Sequence, residues 1–224
     1  MDRIEESGKM VKDEKMVKDL TAYWDRNAEK YGDSPKAFDW GSRQSQQKRF
    51  NVLCELLPID ESFTVLDVGC GLGDLWKWMA LWFEKPFNYT GVDISPKMIK
   101  LARKKDPTPF PSKIPGTFKV HDMAEPLKEK FDYVLLSGTL NKRIAEEEEQ
   151  TAWARRVIRN CWDAAEKGLA FNMLSTYADH TAPDDYQYNP CKILKYSMSL
   201  SRRAKLDHTY MPHDFTVYLW RNQH

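Results

Sequence analysis

The chain has 224 residues, 34 Lys and Arg against 33 Asp and Glu, and 42% apolar residues. That size and apolar content suit one core with an added lid or extension. A net charge of +1 gives no electrostatic reason to expect DNA, and no apolar run is long enough to cross a bilayer, so no membrane is expected either.

The opening MDRIEESGKMVKDEKMVKDL is charged throughout. It reads as an exposed helix, not as a signal peptide or anchor, which points to a cytoplasmic chain. Cys54, Cys70, Cys161 and Cys191 have neither metal-ligand nor redox spacing, so they are read as reduced thiols and no metal site is expected. Leu20 to Tyr31 has the pattern of an amphipathic helix carrying Tyr23, Trp24 and Tyr31. After the loop GDSPKAFDWGS, Ser42 is placed to cap a helix reaching about Leu57, with Phe50, Leu53, Cys54 and Leu57 on one side.

The rhythm then changes. The short apolar runs FTVLDV, FNYTGVDI, GTFKVHDM, FDYVLLSG and GLAFNML alternate with helical segments at 72–84, 96–105 and 146–165. Ser95-Pro96 starts the second segment, and Lys167-Gly168 is read as a left-handed end to the third. In that third segment Trp153, Val157 and Cys161 recur at helical spacing, as do Ala154, Ile158 and Trp162. Asn189-Pro190 opens another helix, and AKLDHTYMPHDFTVYLWR holds two strand-like runs joined at Met211-Pro212-His213. The expectation is an α/β fold: a three-layer, doubly wound, mostly parallel seven-stranded sheet with an antiparallel C-terminal hairpin. Residues 1–45 are expected to be a helical lid over a ligand-binding domain of residues 46–224.

VLDVGCGLGDL places Gly69, Gly71 and Gly73 where the first strand gives way to a helix. Sheets of this kind bind ligands at the carboxyl ends of their strands. A dinucleotide would require Gly-x-Gly-x-x-Gly, but the last position of that pattern is Asp74. A pyrophosphate there would face Asp67 and Asp74, and like charges about 4 Å apart cost roughly 4 kcal/mol at an effective dielectric near 20. S-adenosylmethionine (SAM) carries no phosphate, and its ammonium and sulfonium suit acidic surroundings. Asp93 follows the second strand, where a carboxylate can accept both ribose hydroxyls, with Ile94 beside it as an apolar face for adenine. Asp122 and Met123 stand at the third strand end.

Taken together, VLDVGCGLGDL, YTGVDISPKMI, HDM, FDYVLLSGTLN and the closing HDFTVYLWR resemble the class I (Rossmann-like) SAM-dependent methyltransferases. The resemblance implies that Asp67, Gly69, Gly71 and the Cys70 backbone hold the methionine part and that Asp93 takes the ribose. It also implies that Ile94, Met98 and Met123 flank the adenine, that Asp122 meets its amino group, and that Ser137 and Gly138 line the methyl side. Trp76, Trp78 and Trp82 are read as core and surface residues.

A SAM-dependent enzyme must hold a nucleophile in line with the S–CH₃ bond and keep water out. The covering segments therefore supply the further candidates. Arg43 is one to clamp the SAM carboxylate, and Tyr31 and Trp40 are candidates to face the sulfonium. His213 and Tyr177 are the candidates for a general base. The position after the fourth strand reads SGTL, not the Asn/Asp-Pro-Pro-aromatic of amino-methylating nucleic-acid enzymes. The acceptor expected is a small molecule methylated on O, N or S, with the chain a monomer or homodimer. The alternatives are a protein or RNA substrate, or a SAM-binding chain that transfers no methyl, as a SAM-cleaving lyase or regulatory module.

Overall fold

The computed structural model describes residues 2–34, 37, 42–104, 115–180 and 182–221, with side chains from residue 15 onward. The first element is one long helix, α1 (Asp2–Tyr31), where the sequence suggested a charged stretch followed by a separate amphipathic one. Then come α2 (Arg43–Cys54), β1 (Phe63–Val68), α3 (Asp74–Trp82), β2 (Phe87–Asp93), α4 (Pro96–Ala102), β3 (Gly116–Val120) and β4 (Phe131–Leu136). The remainder is α5 (Glu147–Ala164), β5 (Ala165–Leu174), α6 (Pro190–Leu200), β6 (Ala204–Met211) and β7 (Asp214–Trp220).

Helix starts follow the expected capping chemistry. Ser42, Ser95 and Asn189 each accept a backbone N–H from inside the helix that follows, and Pro96 and Pro190 occupy first turns where no N–H is needed. One expected stop is absent. α5 ends at Ala164 and passes straight into β5, so Lys167 and Gly168 are strand residues. The glycine there serves packing: a Cβ on Gly168 would lie 3.0 Å from Leu56 Cδ1 and 3.1 Å from the Leu219 carbonyl.

The seven strands are ordered β3-β2-β1-β4-β5-β7-β6. β1 to β5 pair in parallel, while β7 runs antiparallel to both β5 and β6, closing the sheet with the expected hairpin. One face carries α2, α3 and the Ile99 side of α4 over Val65, Leu135, Ala170 and Tyr218. The other carries α5 and α6 over Leu66, Val134, Phe171 and Val217. Every member of the two α5 sets spaced by four is buried. Strands covered on both faces are apolar almost throughout, and β1, β4 and β7 therefore lack the alternation of a half-exposed strand. The buried polar residues of β1 and β2, Asp67 and Asp93, lie at or near their carboxyl ends.

The α1 helix is tied across those ends. Asp25 Oδ1 accepts from Ser95 Oγ at 2.5 Å and from Lys97 N at 3.3 Å, and Glu29 pairs with Lys97. From the other side Lys142 Nζ sits 3.8 Å over the Tyr23 ring and 3.4 Å from Asp184 Oδ2. Among the described residues no helix is long and apolar enough to cross a membrane.

Candidate active site

The site begins where β1 stops. Gly69, Gly71 and Gly73 take the left-handed backbone region, with φ of 72°, 52° and 75°. This curl lays a five-residue loop with little side-chain bulk over the strand end before α3 starts at Asp74. At Gly69 the requirement is also steric, because an added Cβ would lie 2.5 Å from the Thr139 side chain. Thr139 in turn donates to the Val68 carbonyl at 2.6 Å, so the turns after β1 and β4 lock together.

Asp93 braces the loop. Its Oδ2 accepts from Gly71 N at 2.9 Å and its Oδ1 from Ser95 N at 2.8 Å. Burial outweighs those hydrogen bonds and pushes its pKa up to about 6. Asp67, only 2% exposed, accepts from the Tyr89 hydroxyl at 2.5 Å. Burial again dominates, aided by the Asp93 and Asp74 charges against a lowering contribution from Tyr89, and its pKa rises to about 7. Asp122 Oδ1 accepts from Ala124 N at 2.8 Å, forming a tight turn after β3.

These residues open onto a cleft of about 960 Å³, counting its solvent-open part. Asp67, Gly69, Cys70 and Gly71 line it, as do Asp93, Ile94 and Met98. Asp122, Met123, Ser137 and Gly138 complete the expected set that the fold gathers there. Three covering-segment candidates fare differently. Arg43 is exposed at the start of α2 and does not line the cleft; Gln46 and Phe50, the next turns of that helix, do. Gln46 Nε2 donates to Asp74 Oδ2 at 3.3 Å. Tyr31 packs at the end of α1 against the Leu72 and Met98 cluster, while Leu20 and Trp24 of the same helix face the cleft. Trp40 lies outside the described residues.

The base candidates are not in the cleft. Tyr177 is 64% exposed, its ring 6.2 Å from that of His208. His213 turns the hairpin, its carbonyl accepting from Ser175 N. The imidazole that does line the cleft is His121, at the end of β3. Trp153 and Val157 of α5 were read only as packing residues, yet they form part of the wall. Leu20 with Trp24, Gln46 with Phe50, and Trp153 with Val157 are each spaced by four, so the signal was present but had no direction attached.

The described residues contain no group of three or more His, Cys, Asp or Glu able to hold a metal ion. Their chemistry fits a cationic nucleoside instead. Two buried carboxyls with elevated pKa stand beside the glycine loop, and Asp74 opens α3 where a pyrophosphate would otherwise lie.

Comparisons with known proteins agree with this geometry. A methyltransferase-domain family model matches residues 65–161, and the protein-L-isoaspartate(D-aspartate) O-methyltransferase model matches residues 2–108. Rv1506c of Mycobacterium tuberculosis, whose name assigns it to the methyltransferases, is 28% identical over 162 residues, covering 70% of this chain and 92% of that protein. The magnesium-protoporphyrin O-methyltransferase of Rhodobacter capsulatus is 32% identical over 99 residues, 44% of this chain and 42% of that one. In three dimensions the chain is similar to the magnesium protoporphyrin IX methyltransferase ChlM of Synechocystis, crystallised with S-adenosylhomocysteine (SAH). The TM-score is 0.67 at 20% identity, covering 92% of this chain and all of that one.

Proposed function

We propose that this chain, a SAM-dependent methyltransferase of class I fold, methylates a small molecule held beneath a cover made by α1 and α2. The observation that carries the reading is the cover over the strand ends. Leu20 and Trp24 of α1 and Gln46 and Phe50 of α2 roof the cleft. A bulky macromolecule would have to displace both helices to reach the glycine loop, whereas a small molecule fits under them. Two of the relatives named above carry a tetrapyrrole substrate in their names, which supports an acceptor of that general size class.

SAM supplies an electrophilic methyl group on sulfur. In the proposed site Asp67, Gly69, Gly71 and the Cys70 backbone hold its methionine part, and Asp93 holds the ribose while bracing the loop through Gly71 N. Ile94, Met98 and Met123 flank the adenine, with Asp122 at its edge. Ser137 and Gly138 lie on the methyl side. Gln46 takes the place expected of Arg43, close to Asp74. The chain's own work is orientation and exclusion of water, which supply much of the rate when the reagent is already activated.

Calorimetry with SAM, SAH and NAD tests the cofactor assignment; binding of NAD but not SAM overturns it. Mass spectrometry of a cell extract incubated with the protein and methyl-labelled SAM tests the acceptor class. A labelled compound of low mass is expected. Label found only in protein or RNA refutes the small-molecule reading, and SAM turned over to methylthioadenosine makes the chain a lyase.

A further inference from the structure

Tyr89 stands behind the cleft without lining it, yet it reaches a residue that does. In the parallel pair of β1 and β2, Val65 faces Tyr89 and Asp67 faces Gly91. Strand alternation therefore puts Tyr89 and Asp67 on one face of the sheet, one pair of residues apart along the strands. The phenol spans that step and donates to Asp67 Oδ2 at 2.5 Å. Its ring is fixed on the way, with the ring centroids of Trp76 and Phe118 at 6.3 Å and 5.8 Å, and Tyr89 is 2% exposed. Burial and the Asp67 charge hold the phenol well above its ordinary pKa, so the proton stays on the tyrosine and the carboxylate accepts.

Asp67 is the partner that needs the bond. Asp93 at the end of β2 and Asp74 at the start of α3 both oppose its charge. The other titratable neighbours are the buried thiols of Cys70 in the loop and Cys54 in α2, which feel the Asp67 charge and stay protonated. Arg49, the buried cation of α2, is paired with Asp214, and Gln46 of that helix donates to Asp74. A carboxyl sealed among acids and thiols holds its proton, and a neutral carboxyl at the cleft wall has no charge to offer a cation. Tyr89 works against this, because a hydrogen bond donated to a carboxylate is charge-assisted and favours the ionised form. It also occupies Oδ2, so Oδ1 is the oxygen left for a ligand. Resting on the methyltransferase reading above, we propose that Tyr89 is a positioning residue for SAM: its phenol keeps Asp67 ionised and oriented toward the ammonium of the methionine part, and so sets how far the pH can fall before the protein loses its cofactor.

Calorimetric titration with SAM between pH 5.5 and 9, on the unaltered protein and on Tyr89→Phe, tests the assignment. Asp67 titrates at about 7 in the unaltered protein. Loss of one charge-assisted bond should raise that midpoint by about one pH unit. The variant is then expected to bind about eightfold more weakly at pH 6.5, about threefold at pH 7.5 and equally at pH 9. Comparing the two proteins at each pH cancels the titration of the amine of SAM itself. In an Asp67→Asn background, Tyr89→Phe should change nothing at any pH. Tyr89→3-fluorotyrosine keeps the hydroxyl and makes it a stronger donor, so it should move the midpoint down; it decides the matter if the phenylalanine variant does not fold. A tyrosine that only packs would cost the same factor at every pH, or nothing, and either result overturns the proposal. So does an effect that persists without Asp67, or a midpoint that fluorotyrosine leaves in place. No SAM binding by the unaltered protein at any pH removes the cofactor reading and this proposal with it, whereas binding with an unmoved midpoint removes this proposal alone.

Discussion

Lowering the pH should weaken SAM binding, and the size of the effect follows from two carboxyl groups. Without ligand, Asp67 titrates at about 7 and Asp93 at about 6, both raised chiefly by burial. A ligand carrying ammonium and sulfonium charges favours their ionised forms. Below these pKa values the free protein is protonated, so binding must expel protons and affinity falls. If both groups are fully ionised in the complex, moving from pH 8 to 5.5 costs about 30-fold through Asp67 and about 4-fold through Asp93. The combined loss is about 100-fold, or roughly 2–3 kcal/mol. At pH 6.5 the occupancies of the two sites sum to about one proton, which should be released on binding. Calorimetry in buffers of different ionisation enthalpy measures that number directly. Affinity that stays flat between pH 5.5 and 7.5, or binding without proton release at pH 6.5, would refute the reasoning that both acids are ionised in the complex.

The same carboxyls have a cost in the free protein. Their folded pKa values exceed the unfolded ones, so the stability they contribute is full near pH 4 and is lost as pH rises through 6 and 7. Asp67→Asn should therefore stabilise the ligand-free chain at pH 8, by about 2 kcal/mol in a urea melt, while weakening SAM binding. Gly69→Ala should lower SAM affinity at least about tenfold, because its Cβ meets Thr139 at 2.5 Å in a left-handed backbone, and Thr139→Gly should restore part of it. Removing Asp214 alone strands the Arg49 charge in the interior and should cost about 3–5 kcal/mol. The double change Arg49→Met with Asp214→Leu should recover most of that stability in the same melt.

How much of this was legible in sequence depended on where the physics is local. A glycine loop with acids two strands running is a local pattern, and the cleft gathers every one of the residues it named, from Asp67 to Gly138. Caps at Ser42, Ser95 and Asn189 were local as well. The lid was not. Arg43, Gln46 and Phe50 share one helix, but which turn overlooks the cleft is set by how α2 docks on the sheet, and no neighbour in sequence reports that. Charge type suggested Arg43, whereas docking selected Gln46. Gly168 misled for a related reason: a glycine after a helix usually marks a left-handed stop, but here it makes room for Leu56 from a segment more than a hundred residues earlier.

That docking is itself specified by buried charge. On α2, Ser45 and Arg49 turn to the hairpin while Gln46 and Phe50 turn to the cleft. Arg49 Nε donates to Asp214 Oδ2 at 2.6 Å, and its Nη1 reaches back to Ser45 Oγ at 2.5 Å. The other Asp214 oxygen accepts from the Tyr210 hydroxyl at 2.5 Å, which in turn accepts from Thr216 Oγ1 at 2.9 Å. Burial raises the Asp214 pKa in spite of the guanidinium beside it, so desolvation of the carboxylate is not fully repaid by the pair. A buried ion pair is a poor way to gain stability, since well-packed apolar residues do as well or better. Its directional bonds do something that apolar contacts do not: they admit one rotation of α2 about its axis. A rotation of one residue would swing Gln46 and Phe50 out of the cleft and open the roof above Asp67 and Asp74. The hairpin at the far edge of the sheet therefore bears on the cofactor loop through the angle of a single helix.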